Sequence, residues 1–118
     1  MGTFRHSLEV ARSPKGPWAA LDAIVDTGST YSQIPRAVAK RLGIVPSESR
    51  RLLTADRRRV TRPVAVVEVR LNGRSYPVLC VLAGPREPVL LGAVTLETFG
   101  LAADPVHRRL VAAPLYLL

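Results

Sequence analysis

The sequence predicts an all-β domain with one or two short helices, and three observations carry that prediction. Apolar and polar residues alternate through residues 4–10, where Phe4, His6, Leu8 and Val10 fall on one face and Arg5, Ser7 and Glu9 on the other. Ten prolines and eight glycines punctuate 118 residues, which suits short strands and turns better than long helices. Asn72-Gly73 stands between two extended apolar segments, and both residues accept positive φ, the strongest hairpin signal in the chain.

The elements follow in order. Residues 4–10 read as a half-buried strand and residues 13–17 as a turn. The mostly apolar residues 18–25 resume as a buried strand that ends at Asp26-Thr27-Gly28-Ser29. Residues 35–42 are the first helix: Pro35 suits the first helical position, Val38 and Leu42 sit four apart, and Gly43 is a C-terminal stop. Residues 50–54 are extended, residues 55–59 form a polar turn, and residues 60–71 are extended with Val67, Val69 and Leu71 on one face. Residues 76–83 are the return strand and residues 84–88 a loop. A short buried strand at 89–92 leads into a two-turn helix at 93–99, closed by Gly100. Asp104-Pro105 turns the chain, residues 108–112 form a last strand, and residues 115–118 an apolar tail. With no repeat or linker, residues 1–118 read as one domain.

Composition narrows the function classes. Apolar residues make up 47% of the chain, enough for a packed core without disulfide or metal. The single cysteine, Cys80, lies in an apolar run without basic neighbours and reads as a buried structural thiol. His6 and His107 are far apart, form no zinc pattern with Cys80, and read as surface or interface residues. No cofactor or metal is expected. The net charge of +8 comes from fifteen arginines against two lysines, scattered along the chain. Such a surface attracts anions, but six aromatics offer few stacking platforms, so no specific nucleic-acid partner is expected. The start has no apolar signal region, the Met-Gly opening lacks the Ser or Thr of a myristoylation signal at position 6, and no apolar stretch is long enough to span a bilayer. The expected location is cytoplasmic.

One tetrapeptide carries chemistry. Asp26-Thr27-Gly28-Ser29 follows the apolar run Ala23-Ile24-Val25, so a buried strand delivers an acid into a tight turn where Gly28 allows close backbone approach. Hydrolysing a peptide bond without metal, Ser or Cys requires a base to activate water and an acid to protonate the products. Two carboxyls sharing one proton supply both, since like charges at short range do not both ionise easily.

Around these residues the chain resembles the retropepsin-like aspartic peptidases, in particular their small bacterial members. The resemblance runs from the strand entering Asp26-Thr27-Gly28-Ser29, through Thr54-Ala55-Asp56 where the family's flap begins, to Val89-Leu90-Leu91-Gly92 and the short helix after it. It implies a closed, barrel-like sheet with a flap hairpin. It implies that Asp26 is the catalytic carboxyl and that Thr27 holds its counterpart across a dimer axis. Gly28 would permit the turn and offer its carbonyl to substrate, while Ser29 would hydrogen-bond the outer oxygen of Asp26. Ala55, Asp56 and Arg57 would meet substrate near the flap tip, and Leu91-Gly92 would pack behind the active-site loop. Only one such motif exists, and Asp22, Asp56 and Asp104 lack its context, so the second carboxyl is expected from another copy across an isologous interface. Residues 4–10 and 115–118 are the candidate interface segments. The implied partners are therefore a second copy and an extended peptide or protein substrate.

One departure stands out: Arg57-Arg58-Arg59 follows Ala55-Asp56 where the family often has glycine. These arginines read either as a solvated turn or as a grip on acidic substrate residues. Two other functions compete with the peptidase: a catalytically silent peptide- or protein-binding module of the same fold, and a basic nucleic-acid-binding β domain.

Overall fold

The structure is a computed structural model and describes residues 3–118. The Met-Gly opening lies outside them. Nine strands and two six-residue helices are present among the described residues, in the order β1 (Phe4–Ala11), β2 (Ala19–Val25), β3 (Ser32–Pro35), α1 (Arg36–Arg41), β4 (Glu48–Leu53), β5 (Arg59–Leu71), β6 (Arg74–Ala83), β7 (Leu90–Leu91), α2 (Ala93–Thr98), β8 (Leu101–Asp104) and β9 (Arg109–Ala112). None of the helices is long and apolar enough to cross a membrane.

Seven strands form one sheet in the order β1-β2-β7-β3-β6-β5-β4, and a further β1–β5 pairing closes six of them into a ring. β4 stays outside the ring, paired only to β5. The ring works because β5 is long. Its first residues pair with β4 from Leu53↔Arg59 to Glu48↔Val64, and its remainder pairs with β6 from Val64↔Val81 to Leu71↔Arg74. The β5–β6 turn is Asn72-Gly73, with φ of 51° and 80°, the positive values a two-residue hairpin demands. Alternation along β5 turns Val67, Val69 and Leu71 inward, where they meet Val10, Ile34, Leu82 and Leu91 in the core. Cys80 is buried there too, and burial pushes its thiol up to about 12, which makes it structural rather than reactive.

Three aromatic residues complete the packing. Tyr76 meets Phe99 edge-on with centroids 4.9 Å apart. The Arg70 guanidinium lies 4.0 Å over the Trp18 ring and makes two hydrogen bonds to Glu9, at 3.0 and 2.9 Å, fastening β5 to β1.

Two strands were not visible in the sequence. β3 is only four residues, and it is extended because β6 runs parallel beside it from Ser32↔Cys80 to Pro35↔Ala83. Pro35 is accordingly the last residue of β3 and the cap of α1, not the first residue of the helix. β8 is held by β9 from Leu101↔Ala112 to Asp104↔Arg109, so residues 101–104 form a second hairpin rather than a lead-in to a turn. At its turn, Asp104 accepts from the backbone amides of Val106 and His107 and from the His107 ring, which accounts for that histidine.

The order β2-β7-β3 fixes the position of the loop between β2 and β3. β7 runs parallel to β2 (Ile24↔Leu90, Val25↔Leu91) and antiparallel to β3 (Gln33↔Leu90). The chain therefore leaves β2, arches over the end of β7, and returns on its other side. Directly under the arch is Gly92. A Cβ there would lie 2.5 Å from the Tyr31 carbonyl oxygen and 2.8 Å from that of Ser29, both backbone atoms that cannot swing aside. Gly92→Ala is expected to cost about 2–3 kcal/mol by overpacking, read as a lower urea midpoint with an unchanged m-value.

The base of the β4–β5 hairpin is fastened separately. Glu87 receives hydrogen bonds from the Gly84 amide at 2.8 Å and from Arg62 of β5 at 3.3 Å. The Gly84 amide and the Arg62 guanidinium hold the Glu87 carboxyl below its ordinary value of 4.5. A folded-state value below the unfolded one stabilises the fold above about pH 4.5, and this stabilisation fades as pH falls through the folded value. Glu87→Gln should be less stable than the native chain at neutral pH, and the gap should narrow below pH 4.5 in denaturation curves collected across pH.

Candidate active site

The arch carries Asp26. β2 delivers it through apolar residues whose inward members, Ala23 and Val25, are buried. The Asp26 amide donates to the Leu91 carbonyl at 3.0 Å and the Ile24 amide to the Val89 carbonyl at 2.9 Å, so β7 sets the height at which the acid emerges. The Ser29 amide donates to the Asp26 carbonyl at 3.1 Å, closing a tight turn. Within it, the Gly28 amide donates to Asp26 Oδ1 at 3.0 Å and holds the carboxyl in one orientation. The carboxyl is half-buried, Thr27 is exposed beside it, and both line a notch of about 140 Å³ together with Phe4, Val25, Ala103 and Pro105.

Ser29 does something other than the sequence suggested. Its hydroxyl donates to the Tyr31 carbonyl at 2.8 Å, not to Asp26. The turn aims Ser29 along the loop, and the hydrogen bond to the Asp26 carboxyl comes from the backbone amide of Gly28. Ser29 therefore stiffens the arch and touches the acid only through its backbone.

The far side of the arch is held by the start of α2. The Gly92 amide donates to Ser32 Oγ at 3.0 Å, the Ala93 amide to the Ser29 carbonyl at 2.8 Å, and the Val94 amide to the Thr30 carbonyl at 2.9 Å. These are amides that a helix cannot satisfy internally. Here the Asp26 loop satisfies them, so loop and helix fix each other. Ser32 in turn hydrogen-bonds Thr95, and both are buried. Leu91 and Gly92 thus lie behind the loop, together with Ser32 and Thr95, which no motif marks. Thr95 is a hydroxyl in an otherwise apolar stretch, Ser32 lies among polar neighbours, and only a third partner, the Gly92 amide, turns the two into a cluster.

The hairpin of β4 and the start of β5 lies where the sequence resemblance expects a flap. At its tip the Thr54 amide donates to the Arg58 carbonyl at 2.9 Å and the Arg57 amide to the Thr54 carbonyl at 2.9 Å. Asp56 is bound by the Thr54 hydroxyl and by Arg58 Nε at 2.9 Å, and the Thr54 and Arg58 hydrogen bonds hold its carboxyl below the usual range. Arg57 occupies φ 64°, the conformation for which glycine is favoured. Ala55, Asp56 and Arg57 are all exposed, and none of them lines the groove beside the Asp26 loop. That groove, about 300 Å³, runs between residues 28–31 and residues 51–53 of β4, with Gln33 and Val81 also in its lining. One link joins its two walls. Arg50 lies 5.6 Å from the centroid of the Tyr31 ring, donates to the Tyr31 hydroxyl, and is also held by Glu48 at 3.0 Å. Neither Tyr31 nor Arg50 was marked by any motif.

The candidate site thus offers a fixed carboxyl on a stiff loop, an open notch beside it, and an adjoining groove walled by a β-hairpin. A family model described as aspartyl protease matches residues 16–95, the stretch that spans the Asp26 loop, the β4–β5 hairpin and Gly92. Among solved structures, the chain is similar to EIAV protease complexed with the inhibitor HBY-793 (17% identity, 96% of this chain and 91% of that one covered, TM-score 0.61). It is also similar to the retroviral protease-like domain of Ddi1 from Leishmania major (16%, 95% and 90%, TM-score 0.58) and to a retropepsin-like aspartic protease from Rickettsia conorii (19%, 88% and 89%, TM-score 0.51). At such identities the likeness shows the fold. No curated protein matches the chain in sequence. The family match, the closed sheet and the placement of the Asp-Thr-Gly loop agree: the chain belongs to the aspartyl protease family and has the retropepsin-like fold.

Proposed function

We propose that the chain is an aspartic endopeptidase that works as a homodimer and needs no cofactor. The observation that carries this is the Asp26 carboxyl, held by the Gly28 amide on a loop that β7 and α2 fix from behind, and present once per chain. Two copies related by a two-fold axis bring two such carboxyls together beside Thr27 of each loop. One, as carboxylate, takes a proton from a water held between them. The resulting hydroxide attacks the carbonyl carbon of the scissile bond, while the other carboxyl protonates its oxygen. The tetrahedral intermediate collapses as a proton passes to the leaving nitrogen, which releases an amine and a carboxylic acid and returns the pair to a single shared proton.

The surface supports the assembly. Leu115, Tyr116, Leu117 and Leu118 are all exposed, as is Val106 near the notch. β1 pairs with β5 only at residues 9–11, so the edge of its first half has no second strand among the described residues. A partner that covers these segments buries apolar surface which the single chain leaves in water. Substrate would lie extended beside the flap and add backbone hydrogen bonds in strand fashion. A silent binding module is the second reading, favoured by one observation: Arg57, Arg58 and Arg59 occupy a tip where flexible glycine is expected.

The native chain should cleave an unfolded protein between mildly acidic and neutral pH, and Asp26→Asn prepared in parallel should not. Specific activity should fall steeply on dilution as dimers separate. Activity that survives in Asp26→Asn would sink the mechanism, and constant specific activity at every dilution would sink the dimer. Binding of extended peptides without turnover by the native chain would favour the silent module.

A further inference from the structure

The arginines of the flap are not equivalent. Arg50 is held by Glu48 and Tyr31, Arg58 by Asp56, and Arg62 by Glu87. Arg51 is exposed and has no ion pair or side-chain hydrogen bond among the described residues. It is the one charged residue in the lining of the groove beside the Asp26 loop. The carboxylates nearest in sequence, Glu48 and Asp56, are engaged by Arg50 and Arg58.

A peptide lying in this groove covers Arg51 and removes water from it. A neutral side chain there leaves a guanidinium partly desolvated and unpaired, and a cationic one adds repulsion. A carboxylate offers the planar, two-oxygen partner that a guanidinium fits. We propose that Arg51 is a specificity-determining residue, and that the groove selects Asp or Glu in the substrate segment beside the Asp26 loop. The inference rests on the peptidase reading and names its substrate class: acidic peptides. Because the dimer is two-fold symmetric, the groove occurs once on each side of the scissile bond, so an acid is favoured on both sides.

The test uses ten-residue peptides of Ala, Leu and Ser in which Glu, Gln or Lys occupies each position in turn. They are scored by kcat/KM with the native chain and, fluorescently labelled, by Kd with Asp26→Asn. Glu is expected to exceed Gln about five- to tenfold at the favoured positions. Arg51→Gln should bring that ratio near one, and Arg51→Glu should invert it in favour of Lys. Arg41→Gln, outside the groove lining, should keep the native ratio. An unchanged ratio in Arg51→Gln overturns the proposal, as does an equal loss in Arg41→Gln, which would mark general attraction by the net charge. Binding that prefers Glu through Arg51 without any cleavage sinks the peptidase reading and leaves the selectivity standing. Cleavage that is indifferent to Glu does the reverse, and neither binding nor cleavage overturns both.

Discussion

Everything at the site depends on one crossing of backbone over backbone. The loop that bears Asp26 passes so close above Gly92 that no side chain fits between them. Close approach brings the first amides of α2 within reach of the loop carbonyls, and those hydrogen bonds hold the loop in turn. The arrangement removes two difficulties together: the unsatisfied start of a short helix and the conformational freedom of a loop. A carboxyl on a freely moving loop would meet water in many geometries. One on this arch is presented in a single orientation, which is what a reaction between two carboxyls and one water requires.

Charge is arranged on a different principle. The chain carries a large excess of arginine, yet much of it is tied down locally, between Arg70 and Glu9, Arg62 and Glu87, Arg58 and Asp56, and Arg50 and Glu48. Arg70–Glu9 links two neighbouring strands and Arg62–Glu87 ties β5 to the loop after β6, while Arg58–Asp56 and Arg50–Glu48 act within one turn and one strand. Exposed pairs of this kind contribute little each. Six of the fifteen arginines are ion-paired among the described residues, and the positions of the unpaired ones carry more information than the net charge.

The sequence made the long strands legible because their periodicity is local: alternation through Leu8 and Val10, the inward set at Val67, Val69 and Leu71, and the Asn72-Gly73 turn all declare themselves within a few residues. The Asp26 motif was legible for the same reason. β3 and β8 were not, because four-residue strands exist through the strands beside them, β6 and β9, and carry too few residues to show a period. The Ser29 hydroxyl was misassigned because its partner depends on how the turn aims it, and a spacing cannot reveal an angle. Ser32, Thr95, Tyr31 and Arg50 were silent because each acts through a residue far away in the chain or on a facing strand.

The ring of six strands closes on itself without β4, and this has a mechanical consequence. β5 is built into the ring from Val64 onward, while its outer residues and β4 project beyond it. The hairpin is therefore a cantilever, clamped near its root where Arg62 meets Glu87. A load at the free end bends the projecting span and leaves the registers of the closed ring intact. Compliance of the hairpin and rigidity of the floor below it are thus assigned to separate members of one sheet.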